Sequence, residues 1–339
     1  MTTIKNLKKY SLEDKKFKID NLDNKSFSVS RKKFISDESN TDFDYIILVN
    51  GNRAMDVTKD GIHPYGQRDY VERIGNYFLK QKKNVIVEHI LLDNDAPLAL
   101  ESIMLADHVD KLASKDNIKT INVVGHSKGG ALLFNSPKYF RNESSFKKTT
   151  ITTTASPFMG CLLATPTFFL PQVRDVVYSQ LPEYLAKPTY DALVNYYTKI
   201  SSDSHMDNDI ALSSFSSENY DPNFIAGMFD LANINAMKKI RFYQNYVTEI
   251  DDKTILDSIK RRDFTSVGMC LMDEFFMNEI TDGFVEKSSQ ESVKDHLDIK
   301  MNSLKSRTHY FLTHDDDLEF ILSSIDEKID EYNERKKAY

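Results

Sequence analysis

Thr120-Ile121-Asn122-Val123-Val124-Gly125-His126-Ser127-Lys128-Gly129-Gly130 decides how this chain is read. The first five residues form a continuous, β-branched run. That pattern marks a strand buried on both faces, not one that alternates between core and water. Ala131-Leu132-Leu133-Phe134 follow as a helix start. Between strand and helix lies G-x-S-x-G. Reversing from strand to helix in so few residues puts Ser127 on a strained turn, and glycines two positions to either side keep side chains out of the bend. The hydroxyl then projects above the sheet, at a helix N-terminus whose amides can hold an anion. Pro137 follows ten residues after the serine, so this helix is short or kinked.

Working outward, Tyr45–Val49 and Asn84–Ile90 have the same buried, β-branched character. Helical spacing fills the gaps: Tyr70, Ile74, Tyr77 and Phe78 within Asp69–Lys80, then Leu98, Ile103, Leu105, Val109 and Leu112 within Pro97–Ser114. Thr149–Thr154 and Ile240–Val247 are further strand candidates. Alternating strand and helix implies an α/β fold, a mostly parallel central sheet covered by helices on both faces. Phe17–Ile19 and Phe27–Ile35 alternate in polarity and suit an antiparallel edge hairpin. Residues 1–40 carry a net charge of +4 and read as a basic, solvated N-terminal arm. Residues 158–239 are helix-rich and aromatic, with a Ser/Asp/Asn-rich stretch at 201–219. They read as a helical cap inserted into a core made of 41–157 and 240–339.

Composition narrows the function. Forty-four basic and 51 acidic residues give −7, which excludes a strongly basic nucleic-acid footprint. Cys161 and Cys270 sit in apolar stretches and read as buried thiols, not as a disulfide framework. The N-terminal residues have no apolar h-region, and no run is long enough to span a bilayer, so a cytoplasmic protein is expected. Neither zinc-type spacing nor a phosphate-binding loop is present, so no metal or cofactor is expected.

A serine nucleophile needs a base, an acid to orient the base, and two backbone donors for the oxyanion. One donor is the amide of Lys128. The other falls in Val49-Asn50-Gly51-Asn52-Arg53, with the Asn52 amide the candidate. The partners follow the serine in the order acid, then histidine. His126 adjoins the nucleophile on a turn that points it away and reads as structural. Among the later histidines, His309 lies in a loop before a final amphipathic helix, where a base is presented. His314 is the alternative. For the acid, Asp252 directly follows the last strong strand, and Asp282 lies in Thr281-Asp282-Gly283-Phe284-Val285-Glu286-Lys287-Ser288-Ser289. The two stand level on topology alone. Phe158 and the run Phe168, Phe169 and Leu170 are candidates for an acyl pocket.

The segment around Asp282 resembles the acid loop of bacterial lipases and esterases of the α/β-hydrolase fold. Val123–Gly130 is similar to their nucleophile elbow, Leu48–Asn52 to their oxyanion strand and turn, and Thr154–Gly160 to the small-residue segment after the next strand. These islands spread from about 45 to 315. The sequence departs at Asn50, where such lipases carry histidine. The resemblance implies a serine hydrolase acting on an acyl ester or lipid, with Ser127, Asp282 and His309 as the triad. The alternatives are a thioesterase or peptidase with the same triad, or a binding or scaffold protein that has kept the fold without turnover.

Overall fold

In the computed structural model, residues 27–49, 70–92, 98–159, 170–201, 227–276, 281–282, 285–309 and 315–337 are described. Phe17–Ile19, Asn50–Arg53, Cys161, Phe168, Phe169 and His314 lie outside them. The strands are β1 (Phe27–Phe34), β2 (Phe43–Val49), β3 (Val85–Leu92), β4 (Ile118–His126), β5 (Thr149–Thr154), β6 (Phe242–Glu249) and β7 (Lys300–Lys305). The helices are α1 (Tyr70–Lys80), α2 (Leu98–Ala113), α3 (Lys128–Asn135), α4 (Glu143–Lys148), α5 (Leu170–Gln180), α6 (Glu183–Ser201), α7 (Leu231–Met237), α8 (Asp252–Arg261), α9 (Phe264–Phe276), α10 (Lys287–Glu291) and α11 (Asp315–Lys337).

One seven-stranded sheet runs in the order β1-β3-β2-β4-β5-β6-β7. Among the described strands only β1 is antiparallel; it pairs with β3 along its whole length, Phe27 opposite Leu92 and Phe34 opposite Val85. The α/β class and the mostly parallel sheet expected from the sequence are those observed. β2 explains why its strand reads as a continuous apolar run. Phe43, Tyr45, Ile47 and Val49 face one core with residues of α2 and α3. Ile46 and Leu48 face the other, with Ile74 and Phe78 of α1 and Leu318, Ile321, Leu322, Ile325 and Ile329 of α11. Each face of a strand buried this way needs apolar side chains, so no alternation survives.

β5, TTITTT, is fully buried although five of its six residues are polar. The hydroxyls of Thr150, Thr152, Thr153 and Thr154 have partners on the neighbouring strands. Thr150 Oγ1 donates to Asn122 Oδ1 at 2.7 Å, and Thr153 Oγ1 to Asn245 Oδ1 at 2.8 Å. Gln244 Nε2 donates to Thr152 Oγ1 at 3.0 Å and accepts from Ser324 of α11. Asn122 Nδ2 also donates to Thr120 Oγ1, which donates in turn to Asp44 at 2.6 Å. Burial pushes the Asp44 carboxyl above its ordinary range, with the Thr120 bond working against it. A run of paired hydroxyls and amides thus crosses the centre of the sheet, where an unpaired polar group would be costly.

Between β5 and β6 the chain makes α5, α6 and α7. Val177 of α5 and Ala186 and Leu193 of α6 are buried. α6 packs on α9, which follows β6, with Leu193 seated against Gly268. The helical layer is therefore assembled from two separate excursions of the chain. β7 was not legible as a strand: KMNSLK is an edge strand, half exposed and mostly polar. No helix among the described residues is long and apolar enough to cross a membrane.

The buried ladder predicts non-additive stability. Thr150→Val strands the Asn122 amide oxygen, and Asn122→Val strands the Thr150 hydroxyl, while Thr120 keeps its bond to Asp44. Each should cost about 1–3 kcal/mol in urea unfolding. The double variant should cost clearly less than the sum, with a coupling of about 0.5–3 kcal/mol.

Candidate active site

Ser127 sits between β4 and α3 with φ 56° and ψ −129°, in the left-handed half of backbone space. A non-glycine residue held there costs on the order of 1–3 kcal/mol and persists only where its surroundings impose it. The Ser127 N–H donates to Thr154 O at 2.9 Å, pinning the turn to the end of β5. Close approach explains the glycines. A Cβ on Gly125 would stand 2.7 Å from Gly129 O, and one on Gly130 would meet Ser156 Oγ at 1.7 Å. Ser127 is the residue that caps α3, yet its side chain makes no capping bond. α3 ends at Asn135, ahead of Pro137.

Three residues far apart in sequence meet here. His309 Nε2 lies 2.9 Å from Ser127 Oγ, and His309 Nδ1 lies 2.9 Å from Asp282 Oδ2. Asp282 is fully buried. Its Oδ1 accepts from the Val285 amide at 2.7 Å, and its Oδ2 from Thr248 Oγ1 at 2.8 Å. With these donors aimed at both of its oxygens, the carboxyl presents an acceptor to the His309 ring. Nδ1 of His309 is then the protonated nitrogen, and Nε2 is left to accept from the Ser127 hydroxyl. The His309 backbone N–H also donates to Asp282 O at 2.8 Å. Gln290 ties the acid turn to β6, accepting from Thr248 N at 2.9 Å and donating to Val285 O at 3.0 Å.

The two acid candidates, level on topology, are level for a reason. The Ile250 N–H donates to Thr281 O at 2.8 Å. The chain leaves the sheet at Ile250, makes α8 and α9, and returns beside its own departure point. Asp282 therefore occupies the end of β6 despite its distance in sequence. Asp252 is the first residue of α8. Its neighbour Asp251 caps that helix and accepts from Ser306 Oγ at 2.5 Å.

The loop carrying His309 is held on several sides. Ser306 has φ 59°. The Arg307 amide donates to Glu249 O at 3.1 Å, and its guanidinium Nε pairs with Asp317 at 2.6 Å. Ser266 and Thr308 share a hydroxyl bond of 2.9 Å. His126 Nε2 lies 2.6 Å from His309 O. Burial, with His309 beside it, pushes the His126 imidazole down to about 3. Lys128 is buried too, its Nζ 3.7 Å from Oε2 of the equally buried Glu101 on α2. Sequence reasoning assigned Lys128 only an amide and overlooked Glu101, although a glutamate inside Leu98-Ala99-Leu100-Glu101-Ser102-Ile103 was a legible sign of a buried carboxylate. Thr248 and Gln290 left no such sign. Phe158 is fully buried, its ring edge-on to Phe134 at 5.3 Å, inside the main core and not on the wall of an open pocket. Leu170 opens α5.

A family model described as "Alpha/beta hydrolase of unknown function (DUF915)" matches residues 42–219. No curated protein sequence matches the chain. Among solved structures, the mature form of the lipase BlEst2 from Bacillus licheniformis superposes with a TM-score of 0.51 at 12% identity, over 88% of this chain and 97% of that one. Est1E from Butyrivibrio proteoclasticus gives 0.45 at 9% identity, over 90% and 94%. Identities this low speak to the fold alone.

Two buried histidines predict an acid sensitivity. Burial pushes His89 down to about 4 and His126 to about 3, from 6.5. Below pH 6.5 the unfolded chain binds protons at these positions that the folded chain refuses. Their contribution is therefore present above that pH and lost as pH falls toward the folded values, by about 1.4 kcal/mol per pH unit per histidine at most. Urea unfolding between pH 7 and 4.5 should show this decline, and His89→Phe should make it shallower.

Proposed function

This chain belongs to the DUF915 family of alpha/beta hydrolases, and on that premise we propose that it is a serine hydrolase that cleaves an acyl ester through an acyl-enzyme on Ser127. The observation that carries the proposal is the continuous run of contacts from Ser127 Oγ through the His309 ring to Asp282, at 2.9 Å and 2.9 Å. In the reaction His309 Nε2 takes the serine proton as Oγ attacks the ester carbonyl. Asp282 keeps the ring in the correct tautomer and stabilises the imidazolium. The Lys128 amide, at the first position of α3, is one oxyanion donor, and the Asn52 amide is the candidate for the second. Collapse of the tetrahedral intermediate releases the alcohol, which takes its proton from His309. Water, activated by the same nitrogen, then cleaves the acyl-enzyme. We also assign residues 158–239 to a cap, with Phe168, Phe169 and Leu170 as the candidates for an apolar wall. An apolar wall favours an acyl chain over a sugar or peptide.

A fluorophosphonate probe should label Ser127, and Ser127→Ala should remove both labelling and ester hydrolysis while the fold stays intact. Undiminished turnover in that variant would falsify the assignment. Asp282→Asn should lower kcat by about 10⁴-fold, and Asp252→Asn should do far less. The reverse order would move the acid to the start of α8. Along a series of p-nitrophenyl esters, each added methylene should gain about 0.8 kcal/mol in kcat/KM until the pocket is full. A flat profile would remove the apolar wall and leave the triad standing.

A further inference from the structure

His126 stands between Gly125 and Ser127, and the acyl-transfer steps leave it without a task. It is buried at the end of β4, where it pairs in register with Thr154 of β5. Its Nε2 lies 2.6 Å from the carbonyl oxygen of His309, and the two rings are 4.9 Å apart between centroids. A carbonyl oxygen only accepts, so the proton is on Nε2 of His126. The His309 peptide is therefore gripped at both ends. Its N–H is bound by Asp282, the residue that also binds its ring, and its C=O by the residue adjoining Ser127. We propose that His126 is a positioning residue: by donating Nε2–H to the His309 carbonyl, it holds the His309 backbone, and with it the imidazole, at hydrogen-bonding distance from Ser127. This rests on the reading of Ser127 and His309 as nucleophile and base.

The physical need follows from where the base sits. His309 belongs to a loop, and a small backbone displacement there is carried along the side chain to Nε2. Misplacement by about 1 Å can cost 10²-fold in rate. β4 is a central strand paired on both sides, so a donor mounted at its end is a rigid reference. That end also carries Ser127, so the distance between nucleophile and base is set by one short, direct link. Among the described residues, the titratable groups that act on the His126 ring are His309 and Asp282, and burial keeps the ring neutral. A neutral donor adds no second positive charge beside His309 when that ring becomes an imidazolium.

Three variants of the full chain test this. His126→Gln keeps an N–H donor at about the reach of Nε2, His126→Phe keeps the ring volume without a donor, and His126→Asn carries a donor that falls short. His126→Phe and His126→Asn should lower kcat by about 10²-fold with KM little changed. Both should slow fluorophosphonate labelling of Ser127 in proportion. His126→Gln should restore both to near the parent level. Solvent exchange of the His309 Nδ1 proton, followed by NMR and assigned by its loss in His309→Gln, should quicken in the Phe and Asn variants but not in the Gln variant. If His126→Phe does not fold, as judged by near-ultraviolet circular dichroism, the Gln and Asn variants decide between them. Parent-like kcat and exchange in His126→Phe, or a Gln variant as impaired as the Asn variant, would overturn the proposal. A parent protein that is not labelled at Ser127 would instead sink the hydrolase reading, and the exchange rates would still decide the positioning role.

Discussion

Parallel pairing of β4, β5, β6 and β7 is the constraint from which the site hangs. Strands that run the same way bring their C-terminal ends to one edge of the sheet. Ser127 follows β4, Asp282 lies at the end of β6, and His309 comes four residues after β7. The residues in between wander through helices on either side, but each return to the sheet delivers the chain to the same edge. The Ser127–Thr154 and Ile250–Thr281 backbone bonds fasten two of those deliveries in place.

What holds the strands in register is partly polar. Asn122, Thr150, Thr152, Gln244, Thr153 and Asn245 link β4, β5 and β6 by side-chain hydrogen bonds inside the sheet. Such bonds are directional, so a slipped register would leave them all unmade in a dry interior. Apolar packing alone is more forgiving. The same ladder reaches the site, because Asn245 donates to Gln290 O and Gln290 in turn holds Thr248 and the acid turn.

Several features were legible from residue order because their causes are local. A strand buried on both faces must be apolar throughout, and a strand-to-helix reversal must have small residues around its serine. The final helix showed its buried stripe, Leu318 to Ile329, at helical spacing. Other features had no local cause. β7 is polar because it lies at an edge. His126 read as turned away from the chemistry, and its neighbour proved to be the backbone of His309, 183 residues further on. The TTITTT run announced β-branched residues but not the partners that make its hydroxyls tolerable in a core.

By itself, the sequence determined the alternation of strand and helix, the strained turn at Ser127 and the set of carboxylates and histidines from which a site could be drawn. These follow from spacing, side-chain shape and the backbone limits of glycine and proline, all of which act within a few residues. Only the tertiary structure decided which carboxylate meets the His309 ring. Asp252 and Asp282 are separated by α8 and α9, and nothing local says that this excursion closes on itself at Ile250 and Thr281. That closure is a pairing between distant stretches of backbone, made possible by how two helices pack, and packing is a property of the whole fold.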